Sequence, residues 1–272
     1  MTKEPVGRNG AVTESPWANW RSLTPARLAL GRAGAGMPTD EVLRFGWAHA
    51  MARDAIHAAL DTGALELALR AKGWNVLQVR SRASDRATYL RRPDLGRVLD
   101  PHDIEKLQAV DSPRHDICIV IGDGLSSFAI ERHAIKLLDA LKPHFPDELQ
   151  GAPIVIATQA RVALADDVAQ LLGAKLSIML IGERPGLSSP DSLGIYMTHA
   201  PFKGRNDSGR NCVSNIRPEG LSYAAAAFKL AWLMRAALRR GITGVDLKDE
   251  SDLALLAGAN AGLTQISDDR IA

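Results

Sequence analysis

Beyond Gly73 the chain alternates short apolar, β-branched runs with longer stretches of helical periodicity. Parallel strands need crossover connections, and the crossover helices cover the sheet on both sides, so strands built this way are apolar throughout instead of alternating. The candidate strands are Asn75 to Val79, Ile117 to Ile121, Ile154 to Ala157, Leu176 to Ile181 and Ile195 to Thr198. Helical stretches run from Ser126 to Leu141, Asp166 to Leu172 and Tyr223 to Arg240. The pattern predicts an α/β fold over 74–272, a Rossmann-like, mainly parallel sheet with helices on both faces.

Upstream the pattern differs. Residues 1–20 are aperiodic and rich in turn formers, which predicts a disordered or extended tail. Over 21–73 a small helical subdomain is expected. Thr39 can cap its first helix, Asp40 and Glu41 suit the positive end, and Val42, Leu43, Trp47, Met51, Ala55 and Leu60 recur at helical spacing. A second short helix near Leu65 to Ala71 ends at Gly73.

Composition excludes several classes. With 33 basic and 31 acidic residues the formal charge is +2, too small to imply nucleic acid or membrane as partner. The two cysteines, Cys118 in an apolar run and Cys212 in a polar stretch read as a loop, build neither a disulfide framework nor a four-cysteine zinc site. A reducing, cytoplasmic compartment is expected, with no signal peptide and no membrane-spanning segment.

In such sheets ligands bind beyond the carboxyl ends of the strands. Three polar loops fall there: Gly122 to Ser127, Thr158 to Val162, and Gly182 to Ser192. Gly122-Asp-Gly124 would let a ligand approach the backbone closely, or would make a tight turn. Gly31-Arg-Ala-Gly-Ala-Gly36 has the wrong glycine spacing for a dinucleotide loop and reads as a flexible lead into the first helix. His49, Arg53 and His57 lie on one side of that helix without a third metal ligand, so polar surface or a contact with another chain is the simpler reading. Six arginines between Arg80 and Arg97, interrupted by Asp85 and Asp94, fit ion pairs or ligand forks better than a nucleic-acid groove, since Tyr89 is the one aromatic among them. Cys212 as nucleophile would need a base, with His199 nearest in sequence. Glu183 and Arg184 open a rigid turn after the fourth strand, as a ligand contact or a structural ion pair.

Four longer runs carry a resemblance: Leu23 to Gly34, Asp85 to Arg97, Gly182-Glu-Arg-Pro-Gly-Leu-Ser-Ser-Pro-Asp-Ser-Leu-Gly194, and Arg210-Asn-Cys-Val-Ser-Asn-Ile-Arg-Pro218. With Asp123-Gly-Leu-Ser126 and Gly244-Val-Asp-Leu-Lys-Asp249, they resemble, in order over about residues 22–249, the small subunit of adenosylcobalamin-dependent ethanolamine ammonia-lyase.

The resemblance implies a carbon–nitrogen lyase active only with a large subunit, which holds ethanolamine and the radical chemistry that yields acetaldehyde and ammonia. Adenosylcobalamin, its cobalt carried by the corrin, would lie between the subunits. This chain would then contribute no catalytic residue and no metal ligand, and its cofactor contacts would be Val162, Glu183 and Cys212. No Asp-x-His-x-x-Gly run offers an axial histidine, in keeping with that role. Ala160 stands where the family commonly has glycine, so a positive φ there would strain the loop. The family's habit allows residence in a bacterial microcompartment, although residues 1–20 show no amphipathic helix. Two other readings remain at this stage, a nucleotide-binding enzyme acting alone and a non-catalytic assembly partner. If a large partner covers the helical subdomain, apolar side chains should stand exposed on it.

Overall fold

The computed structural model describes residues 12–110, 115–145 and 152–253. Its frame is a six-stranded sheet in the order β1-β3-β2-β4-β5-β6. The strands are Val76–Arg80 (β1), Ile117–Gly122 (β2), Ile154–Thr158 (β3), Leu176–Gly182 (β4), Leu193–His199 (β5) and Asn211–Ile216 (β6). From β1 to β4 neighbours run parallel, whereas β5 and β6 extend the sheet antiparallel. The α/β class and the mainly parallel sheet follow expectation, but β5 is antiparallel and β6 was not foreseen.

The reason is visible in the residues. β2 and β4 are buried along their whole length, as continuous apolar runs should be. β6, Asn-Cys-Val-Ser-Asn-Ile, buries only Val213 and Ile216, and Asn215 takes a left-handed φ of 59°. An edge strand with one covered face and an irregular end leaves little apolar signal. Cys212 therefore sits on a strand and not in a loop.

Helices cover both faces. On one side Thr62–Ala71 (α2), Ile135–Leu141 (α6) and Tyr223–Arg240 (α8) pack on Ile119, Ile121, Ile156, Ile178 and Leu180. On the other, Pro101–Gln108 (α4) and Leu164–Leu171 (α7) pack on Val120, Val155, Ala157 and Met179. α8 spans its expected range because both ends are written in the sequence. Ser222 accepts from Ala225 N at 3.3 Å, and Gly241 closes the helix at φ +68°. A short helix, Arg86–Arg91 (α3), follows β1, and Ser127–Ala129 (α5) leads through a π-helical turn, Ile130–Ala134, into α6.

The outer edge of β1 is closed by side chains and a loop. Arg80 N donates to Asp103 Oδ2 at 2.7 Å, Lys106 Nζ to Gln78 O at 2.7 Å, and Arg70 Nη2 to Val76 O at 3.1 Å. Asp100 N donates to Arg80 O at 3.1 Å.

The first helix, Thr39–His57 (α1), is capped by Pro38 and not by Thr39, which takes the first helical position. Only Glu41, Ala52 and Ala55 of α1 are buried. Leu43 and Trp47 are 67% and 71% exposed, and Val42, Phe45 and Met37 are also exposed. The helical spacing holds, and Ala55 and Leu60 face the core, whereas Val42, Leu43 and Trp47, which share that spacing, do not. Of the expected tail, residues 1–11 lie outside the described residues. Thr13 pairs with Arg32, and Ala18–Ser22 forms a 3-10 turn. Gly31 and Gly34 take left-handed φ values in the turns that fold this lead back.

Candidate functional site

At the carboxyl edge of the sheet the three expected loops meet. Gly124 has φ +57°, and a Cβ on it would stand 2.2 Å from Gly182 O. A Cβ on Gly182 would stand 2.0 Å from Ser126 O. The two glycines thus let the loops after β2 and β4 interlock, closed by Leu125 N to Gly182 O at 2.9 Å and Ser126 Oγ to Pro190 O at 2.8 Å. The close approach offered by Gly122-Asp-Gly124 is taken up by the protein itself. Asp123 ties in the third loop, its carboxylate accepting Gln159 N and Ala160 N, each at 2.9 Å. Burial pushes the Asp123 carboxyl up, against these bonds and the Arg86 guanidinium at 3.6 Å. Gln159, not Ala160, holds the left-handed φ of 53°, so alanine at 160 carries no strain of that kind.

The interlocked loops set the direction of Glu183. Its backbone N donates to Ser192 O at 2.9 Å, and its Oε2 accepts from Ser192 Oγ and, at 3.2 Å, from Asn215 N. Its Oε1 lies 2.9 Å from where a Cβ on Gly194 would stand, so the missing side chain at 194 makes the cradle for the carboxylate. Arg184 is exposed, and no ion pair among the described residues joins it to Glu183.

Cys212 lies opposite Tyr196 in the β5–β6 register. Burial, with the Glu183 charge adding to it, holds the Cys212 thiol above its ordinary range. The side chain is nonetheless solvent-accessible. A thiol held in its protonated form is a poor nucleophile. His199 stands three residues beyond Tyr196 on β5, about 10 Å along the strand. There its backbone N donates to Thr243 Oγ1 at 3.0 Å. The structure thus brings Glu183 and Cys212 to one place and leaves His199 out of it.

Val162, half-buried in the turn before α7, packs on the same buried layer as Tyr196, the layer formed by Val120, Ala157, Met179 and Ile181. All three expected site residues thus border one side of the sheet, the side on which helix α7 packs. Tyr196 escaped the sequence reading. The signal was the alternation in β5, which puts Gly194, Tyr196 and Thr198 on one face.

The Arg210-Asn-Cys run is a frame for this site. Arg210 and Asp166 are each 1% exposed in their side chains and pair at 2.5 Å, joining β6 to α7. Arg210 also donates to Arg205 O at 2.8 Å and to Thr198 Oγ1 at 3.3 Å. Asn211 accepts from Gly244 N at 2.8 Å and donates to Leu247 O at 2.8 Å, which ties in the closing Gly244 to Asp249 run. The loop from Glu183 to Ser192 is anchored on its other side by the π turn. Arg132 Nη1 meets Asp191 Oδ2 at 2.8 Å, and His133 lies 3.5 Å from the same oxygen while bonding Tyr223 at 2.8 Å.

The arginines between 80 and 97 are mostly consumed within the chain. Arg80 pairs with Asp100, Arg92 with Asp94 and Arg97 with Asp207. Arg86 donates to Ile56 O and Gly124 O, and both it and Arg161 lie against the buried Tyr89 ring. His49 and His57 are exposed on α1, and no group of metal-holding side chains occurs among the described residues. No helix among them is long and apolar enough to cross a membrane.

Residues 14–248 match the family described as ethanolamine ammonia-lyase light chain (EutC). The chain is 54% identical over 255 residues to the ethanolamine ammonia-lyase small subunit of Azotobacter vinelandii (strain DJ / ATCC BAA-1303), covering 92% of this chain and 94% of that one. It is 51% identical over 259 residues to the same subunit of Pseudomonas putida (strain W619), covering 94% and 95%. With that of Bradyrhizobium diazoefficiens it shares 53% over 243 residues, covering 89% and 93%.

Proposed function

Since this chain belongs to the ethanolamine ammonia-lyase small-subunit family, we propose that it forms one wall of an adenosylcobalamin site completed by a large subunit. The observation that carries this reading is the convergence of Glu183 and the exposed Cys212 beside Tyr196, next to the apolar layer that holds Val162. The donor set suits a corrin. Val162 offers apolar contact, Cys212 a neutral thiol, and Glu183 an Oε1 held in the Gly194 cradle with both of its bonds made on Oε2. A carboxylate so placed accepts from a carboxamide N–H or a ribose hydroxyl.

Adenosylcobalamin, when bound, supplies the radical chemistry that converts ethanolamine to acetaldehyde and ammonia. This chain's residues hold and shield that group and do not act on substrate. Large-subunit association is supported by the exposed Leu43, Trp47 and Phe45 of α1, apolar side chains of the kind that a partner covers. On this reading the protein works inside the cell, in the cytoplasm or in a bacterial microcompartment.

The test is adenosylcobalamin binding and ethanolamine-dependent ammonia release by this chain, by the large subunit and by the mixture. Tight binding and turnover are expected only in the mixture. Glu183→Gln, which removes a charged acceptor, should weaken binding by about ten- to a hundredfold. Turnover by this chain unaided, or a mixture indifferent to the cofactor, would refute the assignment.

A further inference from the structure

Arg161 lies in a slot shaped for its stem and meets no acid there. Its backbone N donates to Gly96 O at 2.8 Å. A Cβ on Gly96 would stand 2.9 Å from the Arg161 Cγ and 3.0 Å from the Tyr89 ring, so the bare glycine is what admits the side chain. The guanidinium rests on that ring, 4.4 Å from its centroid, and the ring is fixed in turn by the Tyr89 hydroxyl, which donates to Ala160 O at 3.1 Å. Arg161 Nη2 makes one long bond, to Tyr89 O at 3.4 Å, while Nε is buried with no partner. No carboxylate among the described residues pairs with this guanidinium.

A second cation lies against the same ring. The Arg86 guanidinium is 4.8 Å from the centroid, and its Nη2 is also buried with no partner. The carboxylate that Arg86 meets, Asp123 at 3.6 Å, already accepts Gln159 N and Ala160 N. Two guanidiniums thus share one ring and one carboxylate, and a positive charge is left over where water reaches poorly, an arrangement that is costly without a counterion. The excess sits at the carboxyl edge of the parallel strands, in the loop after β3 and one residue before Val162. A planar guanidinium grips phosphate oxygens in pairs, and adenosylcobalamin carries one such anion, the phosphodiester of its nucleotide loop.

We propose that Arg161, backed by the charge of Arg86, is the subsite for that phosphodiester. The inference rests on the cobalamin reading above and adds an anionic contact to its three residues.

Spectrophotometric titration of the complex with the large subunit tests it without turnover. Arg161→Met should bind adenosylcobalamin about ten- to a hundredfold more weakly than wild type, the loss expected for a charged hydrogen-bonded contact. Adenosylcobinamide lacks the nucleotide loop and its phosphate, so the same substitution should change its affinity by less than about twofold. Adenosylcobinamide phosphate restores the anion without the base, and with it the sensitivity to Arg161→Met. Arg161→Lys keeps the charge without the planar fork and should fall between wild type and Arg161→Met. An equal loss for adenosylcobalamin and adenosylcobinamide is the mark of a structural role and overturns the subsite, as does an unchanged affinity for adenosylcobalamin. Subunit association that weakens in gel filtration without cofactor assigns Arg161 to a carboxylate of the partner and overturns it too. If the wild-type complex binds none of the three corrinoids, the cobalamin reading itself falls, and the subsite with it.

Discussion

Replacing Arg210 with methionine tests whether the buried ion pair frames the site. The substitution preserves much of the apolar stem while removing a charge from a place that solvent does not reach. Asp166, at 1% exposure, would keep its carboxylate without the guanidinium at 2.5 Å, and its Oδ1 already lacks a hydrogen-bond partner. Breaking one half of a buried pair costs about 3–5 kcal/mol, mostly because the remaining charge is stranded. For a chain of this size each kcal/mol moves the melting temperature by about 2–4 °C, so Arg210→Met should melt about 6–20 °C lower. Arg210→Met combined with Asp166→Leu should recover most of the loss, since an apolar pair of similar volume removes the stranded charge. Circular dichroism melts and urea titrations of the single and double variants measure both quantities. A single variant that melts within about 2 °C of wild type, or a double variant no better than the single, refutes the argument.

Gly194→Ala would meet only the flexible end of Glu183, so it should fold within about 1 kcal/mol of wild type. It should nonetheless weaken adenosylcobalamin binding by displacing the carboxylate, as titration of the complex would show. Gly124→Ala meets Gly182 O at 2.2 Å and needs φ +57°, so it should cost about 2–5 kcal/mol in urea unfolding. Burial lowers the His133 pKa below its ordinary 6.5, against the pull of Asp191. The unfolded chain therefore binds the proton more readily, and stability should fall as pH drops through about 6.5 and below. His133→Gln should flatten that part of the pH–stability curve. Leu43→Glu with Trp47→Glu should leave the isolated chain's melting temperature within about 2 °C and abolish co-elution with the large subunit in gel filtration.

The parallel strands were legible because burial on both faces leaves an unbroken apolar run, as in Ile117–Gly122. The end of α8 at Gly241 was legible because left-handed backbone selects glycine. β6 was not, since one edge strand with two buried residues resembles a polar loop. Periodicity gave α1 its place but not its environment, because an apolar residue facing a partner reads like one facing a core. In the site, Glu183 was marked by its strand-end position and its motif. The role of Gly194 as cradle came only from the β4–β5 pairing, and that of Tyr196 as neighbour from the β5–β6 register, long-range pairings that local sequence does not encode.

The closed edge of β1 bears on how this protein tolerates crowding. A sheet whose last strand offers unpaired N–H and C=O groups invites a neighbouring copy to add a strand, and the danger grows wherever many copies are held together. Here four outward groups of β1, the carbonyls of Val76 and Gln78 and both the N–H and the carbonyl of Arg80, are already bonded by Arg70, Lys106, Asp103 and Asp100. Three of those four bonds come from charged side chains, which keeps this flank polar as well as bonded. A copy that added a strand here would have to displace those bonds first, which leaves the exposed apolar side chains of α1 as the stickier face.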